Sequence, residues 1–354
     1  MRILHIGPYP PARDGIGVYT RTLAGALTAR GHETAVVSAR PHPSSPPEVM
    51  AALGDPALPE KTARFRPDVV HLQFAVPAFG PRTPAVLRLL DALDAPVVAT
   101  LHEAARDLAL LRAPGRMLYR RLTDRCAALV VHTRDAQRAA GPKAVLIPHF
   151  CAPPPPPATT PDALRERFGL GSAPVLLAFG FIHVDKGLDV LVDALRSLQA
   201  PVTLVVAGTV RGRTGPFRLM ELRDHLHERG VRASIRRHGL ENRVVFTGYV
   251  PDEEVAAWFA AADVAVLPYR KAAQSGVAHL ALAMNVPVVA TGVGGLRELF
   301  GSSTVPPGDA EAFAKAVTEA LDGGGSPSPG VPPGPEEVAA RTEALYEKVL
   351  AGAA

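Results

Sequence analysis

The stretch from Asn242 to Phe300, NRVVFTGYVPDEEVAAWFAAADVAVLPYRKAAQSGVAHLALAMNVPVVATGVGGLRELF, constrains the fold more than any other. Short apolar runs alternate with segments whose apolar side chains repeat at helical spacing. Each run ends in a polar or glycine-rich turn that opens the next helix. Parallel strands cannot be joined by a two-residue hairpin, so this alternation predicts a parallel sheet wound with helices. Such turns also present amide N–H groups without intrahelical partners, at the positive end of a helix dipole. That is the physics of holding a phosphate. Two turns stand out, Gln274-Ser275-Gly276 and Gly292-Val293-Gly294-Gly295.

The same alternation runs through the whole chain. Ile3 to Gly7 reads as a first buried strand, followed by a proline-rich loop from Pro8 to Gly15. A helix then runs to about Arg30, and Thr34 to Ser38 forms a second strand. The glycines do not follow the first strand as G-x-G-x-x-G, which disfavours a dehydrogenase. Gly15 and Gly17 allow close backbone approach at a helix start, or simply permit the turn. His71 and His102 end apolar runs, and ligands of open α/β sheets bind at the carboxyl ends of strands. His71 is read as a packed residue. His102, followed by Glu103, is read as functional. The segment from Arg106 to Cys126 carries Arg112, Arg116, Arg120, Arg121 and Arg125, with a break expected at Pro114-Gly115. Its arginines form a solvated face or a weak peripheral contact with anionic lipid.

At 354 residues the chain exceeds a usual single core, so two domains are expected. The run Cys151-Ala152-Pro153-Pro154-Pro155-Pro156-Pro157 can be neither strand nor helix interior and marks the boundary. The expected division is a first Rossmann-like domain over 1–152 and a second over 153–334. A helix over 335–354 crosses back to the first after a flexible linker around Gly323 to Gly330. A net charge of +4 lacks the clustered basic stripe of a nucleic-acid binder. Two cysteines, Cys126 and Cys151, have no metal-ligand spacing, so neither a disulfide framework nor a metal site is expected. No signal peptide and no membrane span are expected, which suits a cytoplasmic location.

Three segments of the second half are more specific: FGFIHVDKGLDVL, NRVVFTGYVPDEEV and ADVAVLPYRKAAQSGVAHLALAMNVPVVATGVGGLRE. In the first half, DGIGVYTRTLAGALTARGHETAVV, DVVHLQF and VVATLHE join them. Together they resemble the retaining glycosyltransferases of family 4. That resemblance implies the GT-B fold: two Rossmann-like, doubly wound α/β domains facing a central cleft. It implies a nucleotide-diphosphate sugar as donor and co-substrate, with no other cofactor and no metal. The acceptor is a small molecule, an oligosaccharide or a lipid-linked glycan. In the resemblance Lys186 pairs with the diphosphate, backbone around Gly248, Tyr249 and Val250 holds the base, and Gln274, Ser275, Gly276 and Val277 hold phosphate. Gly15 and Gly17 approach the diphosphate from the other domain, and His102 sits near the transferred sugar.

The family pattern is departed from at three places. A Glu-x7-Glu pair is replaced by Ala272 and Leu280. The arginine after the first-turn glycine is Phe181, for which His183, Arg270 or Lys271 could substitute. Asn285 replaces a common glycine. Two alternatives to a transferase therefore stand beside it: a non-catalytic relative acting as a binding or regulatory module, and a sugar-nucleotide epimerase of the same build.

Overall fold

The computed structural model describes residues 1–11, 15–103, 113–212, 218–323 and 332–352. The expected linker around Gly323 to Gly330, the arginine-rich segment before Ala113 (Arg112 included) and residues 12–14 of the first loop lie largely or wholly outside them. The chain divides into two compact units, Met1–Phe150 with Pro333–Ala354, and Cys151–Pro332.

In the first unit, β1 (Arg2–Gly7), α1 (Gly15–Ala29), β2 (Glu33–Ser38), β3 (Val49–Ala52), α2 (Leu58–Phe65) and β4 (Val69–Phe74) follow in order. Then come α3 (Val76–Phe79), α4 (Thr83–Asp91), β5 (Val97–Leu101), α5 (Ala113–Arg125), β6 (Ala128–Val131), α6 (Arg134–Ala140) and β7 (Ala144–Leu146). Every strand pair is parallel, in the order β3-β2-β1-β4-β5-β6-β7. The strand β4, VVHLQF, is buried along its whole length, as expected of a central parallel strand covered on both faces. Its Leu72 and Phe74 join Phe79, Leu90 and Leu122 in the core. The expected break at Pro114-Gly115 concerns a segment that lies partly outside the described residues. Pro114 lies in the first turn of α5, where a missing N–H costs nothing.

The second unit holds α7 (Pro161–Arg167), β8 (Val175–Phe179), α8 (Leu188–Ser197), β9 (Thr203–Ala207), α9 (Arg218–Arg237) and β10 (Val244–Gly248). It continues with α10 (Asp252–Ala260), β11 (Val264–Leu267), α11 (Gly276–Ala283), β12 (Val288–Ala290), α12 (Gly294–Phe300) and α13 (Ala310–Leu321). Its sheet is parallel in the order β10-β9-β8-β11-β12. One core cluster lies around Leu191, Leu195 and Phe313, another around Trp258 and Phe259.

The last helix, α14 (Pro335–Gly352), belongs to the first unit and packs on α1. Val338, Ala339, Thr342, Leu345 and Tyr346 form its buried face. Tyr346 is fully buried, and its hydroxyl meets Nδ1 of His71. Nε2 of His71 meets the Thr100 hydroxyl at 2.7 Å. His71 is thus a packed histidine with both ring nitrogens engaged.

In each sheet the strand order reverses once, between β1 and β4 in the first and between β8 and β11 in the second. These are the switch points at whose carboxyl ends open α/β sheets hold ligands.

Candidate active site

In the second unit, the loop between β11 and α11 is held from every side. Gly187 adopts φ +66°, and a side chain there would put Cβ 2.1 Å from the Pro268 carbonyl oxygen. Thr291 donates its hydroxyl to the Tyr269 carbonyl at 2.6 Å. The Arg270 amide donates to the Asp185 carbonyl at 2.8 Å. The Arg270 guanidinium grips Asp189 with both Nη atoms and donates to the Val184 carbonyl. Burial alone would raise the Asp189 pKa, but the hydrogen bonds and charge of Arg270 hold it below the usual carboxylate range. Further along, Gly294 sits at φ +46° with its Cβ position 1.8 Å from the Ala272 carbonyl oxygen. Gly295 donates its amide to the Ala273 carbonyl at 3.0 Å. Neither contact tolerates a side chain at the two glycines with φ > 0.

This fixed loop carries Tyr269, which is buried at 4% exposure. Its hydroxyl receives Nζ of Lys186 from the turn after β8. Ser275 Oγ lies 3.5 Å from the same hydroxyl. Ser275 also caps α11, its Oγ accepting the Ala278 amide at 3.2 Å. The Gly276 and Val277 amides remain first-turn donors that the helix cannot satisfy. Gly276 is exposed and Val277 half-buried. Lys186 and the Gln274–Val277 turn, separated by some 90 residues of chain, are therefore joined through Tyr269.

A shallow recess beside this cluster is lined by Gly180, Phe181, Lys186, Leu188, Pro268 and Tyr269. Phe181 stands where the family resemblance places an arginine. Of the proposed substitutes, Arg270 is committed to Asp189. His183 caps the short turn holding Lys186, its carbonyl accepting the Lys186 amide at 2.9 Å, and Lys271 is exposed. Arg211, not singled out in the sequence, places its guanidinium 5.4 Å from the Phe181 ring centre. Gly248, Tyr249 and Val250 lie at the end of β10, two strands from β8. Tyr249 is 37% exposed and Val250 is buried.

Three of the four amides of the Gly292–Gly295 turn are engaged within the protein: Gly292 donates to Val305, Val293 to Thr291 and Gly295 to Ala273. The turn braces the loop beside it.

In the first unit, His102 follows β5 and is buried at 6% exposure. Its Nε2 lies 2.9 Å from Oε1 of Gln73, at the end of β4. Tyr19 of α1 meets His102 edge-on with ring centres 5.0 Å apart, and also contacts His132 and His149. His102 and His132 ring centres are 5.3 Å apart, as are His132 and His149. Burial, with the charges of His149 and His71 in support, holds the His102 pKa well below its usual value, so the ring is neutral. Among the described residues no group of three or more His, Cys, Asp or Glu is placed to hold a metal ion. Gly15 begins α1 and is exposed. Gly17 is buried, with its Cβ position 3.3 Å from the Tyr9 amide nitrogen. Gly17 therefore has a packing reason to be glycine, two residues before Tyr19.

Two parallel-sheet units, each with a polar cluster at the carboxyl end of its switch point, define the class: an α/β protein of the GT-B architecture. A model for Glycosyltransferase Family 4 matches residues 13–142, and one for Glycosyl transferases group 1 matches residues 173–323. A D-inositol 3-phosphate glycosyltransferase of Xylanimonas cellulosilytica is 31% identical over 334 residues, spanning 80% of this chain and 76% of that enzyme. The sucrose-phosphate synthase of Thermosynechococcus elongatus superposes with a TM-score of 0.75 at 21% identity, covering 99% of this chain and 100% of that one. Anabaena HepE, solved with UDP-glucose, gives a TM-score of 0.68 at 16% identity over 99% and 98% of the two chains. The chain belongs to glycosyltransferase family 4, and it is a glycosyltransferase.

Proposed function

We propose that the protein transfers a sugar from a nucleotide-diphosphate sugar to an acceptor hydroxyl with retention of configuration. The observation that carries this reading is the Lys186–Tyr269–Ser275 cluster beside the first-turn amides of α11. Lysine is a compact point charge suited to a diphosphate, and helix-start amides supply directed donors. The second unit takes the donor. Lys186 meets the diphosphate, the Gln274–Val277 turn its phosphate oxygens, and backbone at Gly248 to Val250 the base. The first unit takes the acceptor and supplies His102. HepE, of the same fold, was solved with UDP-glucose, which supports a nucleotide-sugar donor here.

Catalysis in this reading is positioning plus stabilisation of the departing diphosphate. The acceptor hydroxyl attacks the anomeric carbon on the face the diphosphate leaves, and a leaving phosphate oxygen takes the hydroxyl proton. Lys186 and the amides offset the developing negative charge without a metal ion or cofactor. The acceptor is a small molecule, an oligosaccharide or a lipid-linked glycan, met in the cytoplasm.

A non-catalytic binding module is the second reading, favoured by the two missing carboxylates. Ala272 and Leu280 both pack against an apolar core, and the Ala272 carbonyl oxygen lies against Gly294. A panel of UDP-, GDP-, ADP- and TDP-sugars, followed by thermal shift and by product formation, separates the readings. A ligand at 100 times its Kd stabilises by about 2.7 kcal/mol, or roughly 5–10 °C for a unit of this size. Lys186→Met is expected to lower turnover about 100- to 1,000-fold with the melting midpoint retained. Full turnover in that variant rejects the diphosphate assignment, and absence of any shift or product across the panel favours the binding module.

A further inference from the structure

The His102 imidazole is held by a neutral amide. Gln73 is fully buried, and its Oε1 lies 2.9 Å from His102 Nε2. An amide oxygen carries no hydrogen, so the ring must donate. The backbone fixes the pair as well: the His102 amide donates to the Phe74 carbonyl at 3.0 Å, and Gln73 lies opposite Thr100 in the β4–β5 register. Gly7, at the end of β1, leaves room for this arrangement, since a Cβ there would lie 2.8 Å from Gln73 Cβ.

We propose that Gln73 is the positioning residue that fixes His102 as its Nε2–H tautomer and leaves Nδ1 as the ring's lone-pair hydrogen-bond acceptor. The inference rests on the reading of His102 as the working imidazole of the first unit.

Three observations carry it. First, a neutral ring has one proton, and placing it on Nε2 bares Nδ1. Second, the neighbouring rings are set the other way. His132 Nδ1 faces the Ile147 carbonyl at 2.9 Å and His149 Nδ1 faces the Phe150 carbonyl at 2.7 Å. Carbonyls only accept, so both of those rings carry their proton on Nδ1. Gln73 thus makes His102 the exception among three adjoining imidazoles. Third, Nε2 of Gln73 is buried without a hydrogen-bond partner among the described residues, and an unmet buried donor costs about 1–3 kcal/mol. A side chain present only for packing would be better replaced by an apolar one of similar volume.

The amide also suits the electrostatics. Tyr19 from α1, His132 after β6, His149, and His71 on β4 face or neighbour the His102 ring, and Glu103 follows it in the chain. A carboxylate at position 73 would select the same tautomer but would draw a second proton onto the ring. A glutamine selects the tautomer and keeps the ring neutral.

The test uses the full chain with 15N-labelled histidine, its ring nitrogens read by long-range 1H–15N correlation at pH 7.5. His102 is assigned by its disappearance in His102→Asn. The expected pattern is a protonated Nε2 and a bare Nδ1 for His102, with the reverse for His132 and His149. Gln73→Leu is expected to give mixed His102 tautomers and to lower kcat about 10-fold or more with little change in donor KM. Gln73→Glu, nearly isosteric, is expected to keep the tautomer and move the acid limb of the rate profile to higher pH. In a His102→Ala background Gln73→Leu is expected to cost nothing more. A wild-type His102 protonated on Nδ1 overturns the proposal, as does an equal loss from Gln73→Leu with and without His102. Full activity of His102→Ala, with the tautomer found as stated, rejects only the reading of His102 on which the proposal rests.

Discussion

Replacing Gly294 with alanine tests whether the loop after β11 is held as rigidly as its contacts imply. Gly294 has φ +46°, and an alanine held in the left-handed region costs about 1–2 kcal/mol. The new Cβ would lie 1.8 Å from the Ala272 carbonyl oxygen. Relief of that overlap requires the two backbones to part by more than about 1 Å, at an overpacking cost of roughly 1–3 kcal/mol. The Gly295 amide, now bound to the Ala273 carbonyl, would be pulled from its acceptor. The sum is about 2–5 kcal/mol, which lowers the midpoint of a unit this size by roughly 5–15 °C. The same shift displaces the residues leading into Ser275, and a misplacement of about 1 Å can reduce turnover about 100-fold. Differential scanning calorimetry and steady-state kinetics read both effects. Gly230→Ala in α9 is the control: its Cβ meets nothing within 4 Å, and the change should stabilise the helix by about 0.5–1 kcal/mol. If Gly294→Ala melts and turns over like the wild type, the loop is not braced by this contact.

Two further expectations concern the first unit. Tyr346→Phe removes the hydroxyl that meets His71 Nδ1 and leaves a buried ring nitrogen unmatched. A loss of about 1–3 kcal/mol is expected in urea unfolding, and an unchanged midpoint would refute that role for the hydroxyl. The second expectation is acid sensitivity. Burial lowers the pKa of His5 to about 4 and those of His71 and His102 well below 6.5. Between pH 6.5 and those values the unfolded chain binds protons that the folded unit refuses, so stability is full above 6.5 and falls as pH drops toward 4. His5 alone accounts for about 3 kcal/mol of that loss, and a denaturation midpoint that stays flat from pH 7 to pH 4.5 would contradict it.

What could be read in the sequence was local. Runs such as VVHLQF announce themselves because both faces of a central parallel strand are buried and every position is free to be apolar. Ser275 was readable as the start of α11 because a hydroxyl at the cap accepts a first-turn amide. The rest depended on partners far along the chain. Arg270 looked like a spare cation until Asp189, 81 residues away, took its guanidinium. The glycines of Gly292 to Gly295 have the composition of a phosphate turn, but composition does not say whether the amides face a ligand or the neighbouring loop. Helix α9 runs on through Gly230 to Arg237 because the packing of Val231 and Ile235 offsets the weak helix propensity of glycine. Gln73 gave no signal in the sequence, since a glutamine in an apolar strand becomes informative only when its partner on the next strand is known.

The seating of α14 has a consequence for how the chain is made. The strands of the first unit are complete by Leu146, but Tyr346 reaches His71 across a separation of 275 residues. At roughly 5–20 residues per second of synthesis, a nascent first unit waits on the order of 10–40 s for its closing helix. During that interval the whole second unit leaves the ribosome, while the groove beside α1 stays open and His71 lacks its hydroxyl partner. The first unit is therefore begun before the second and finished after it.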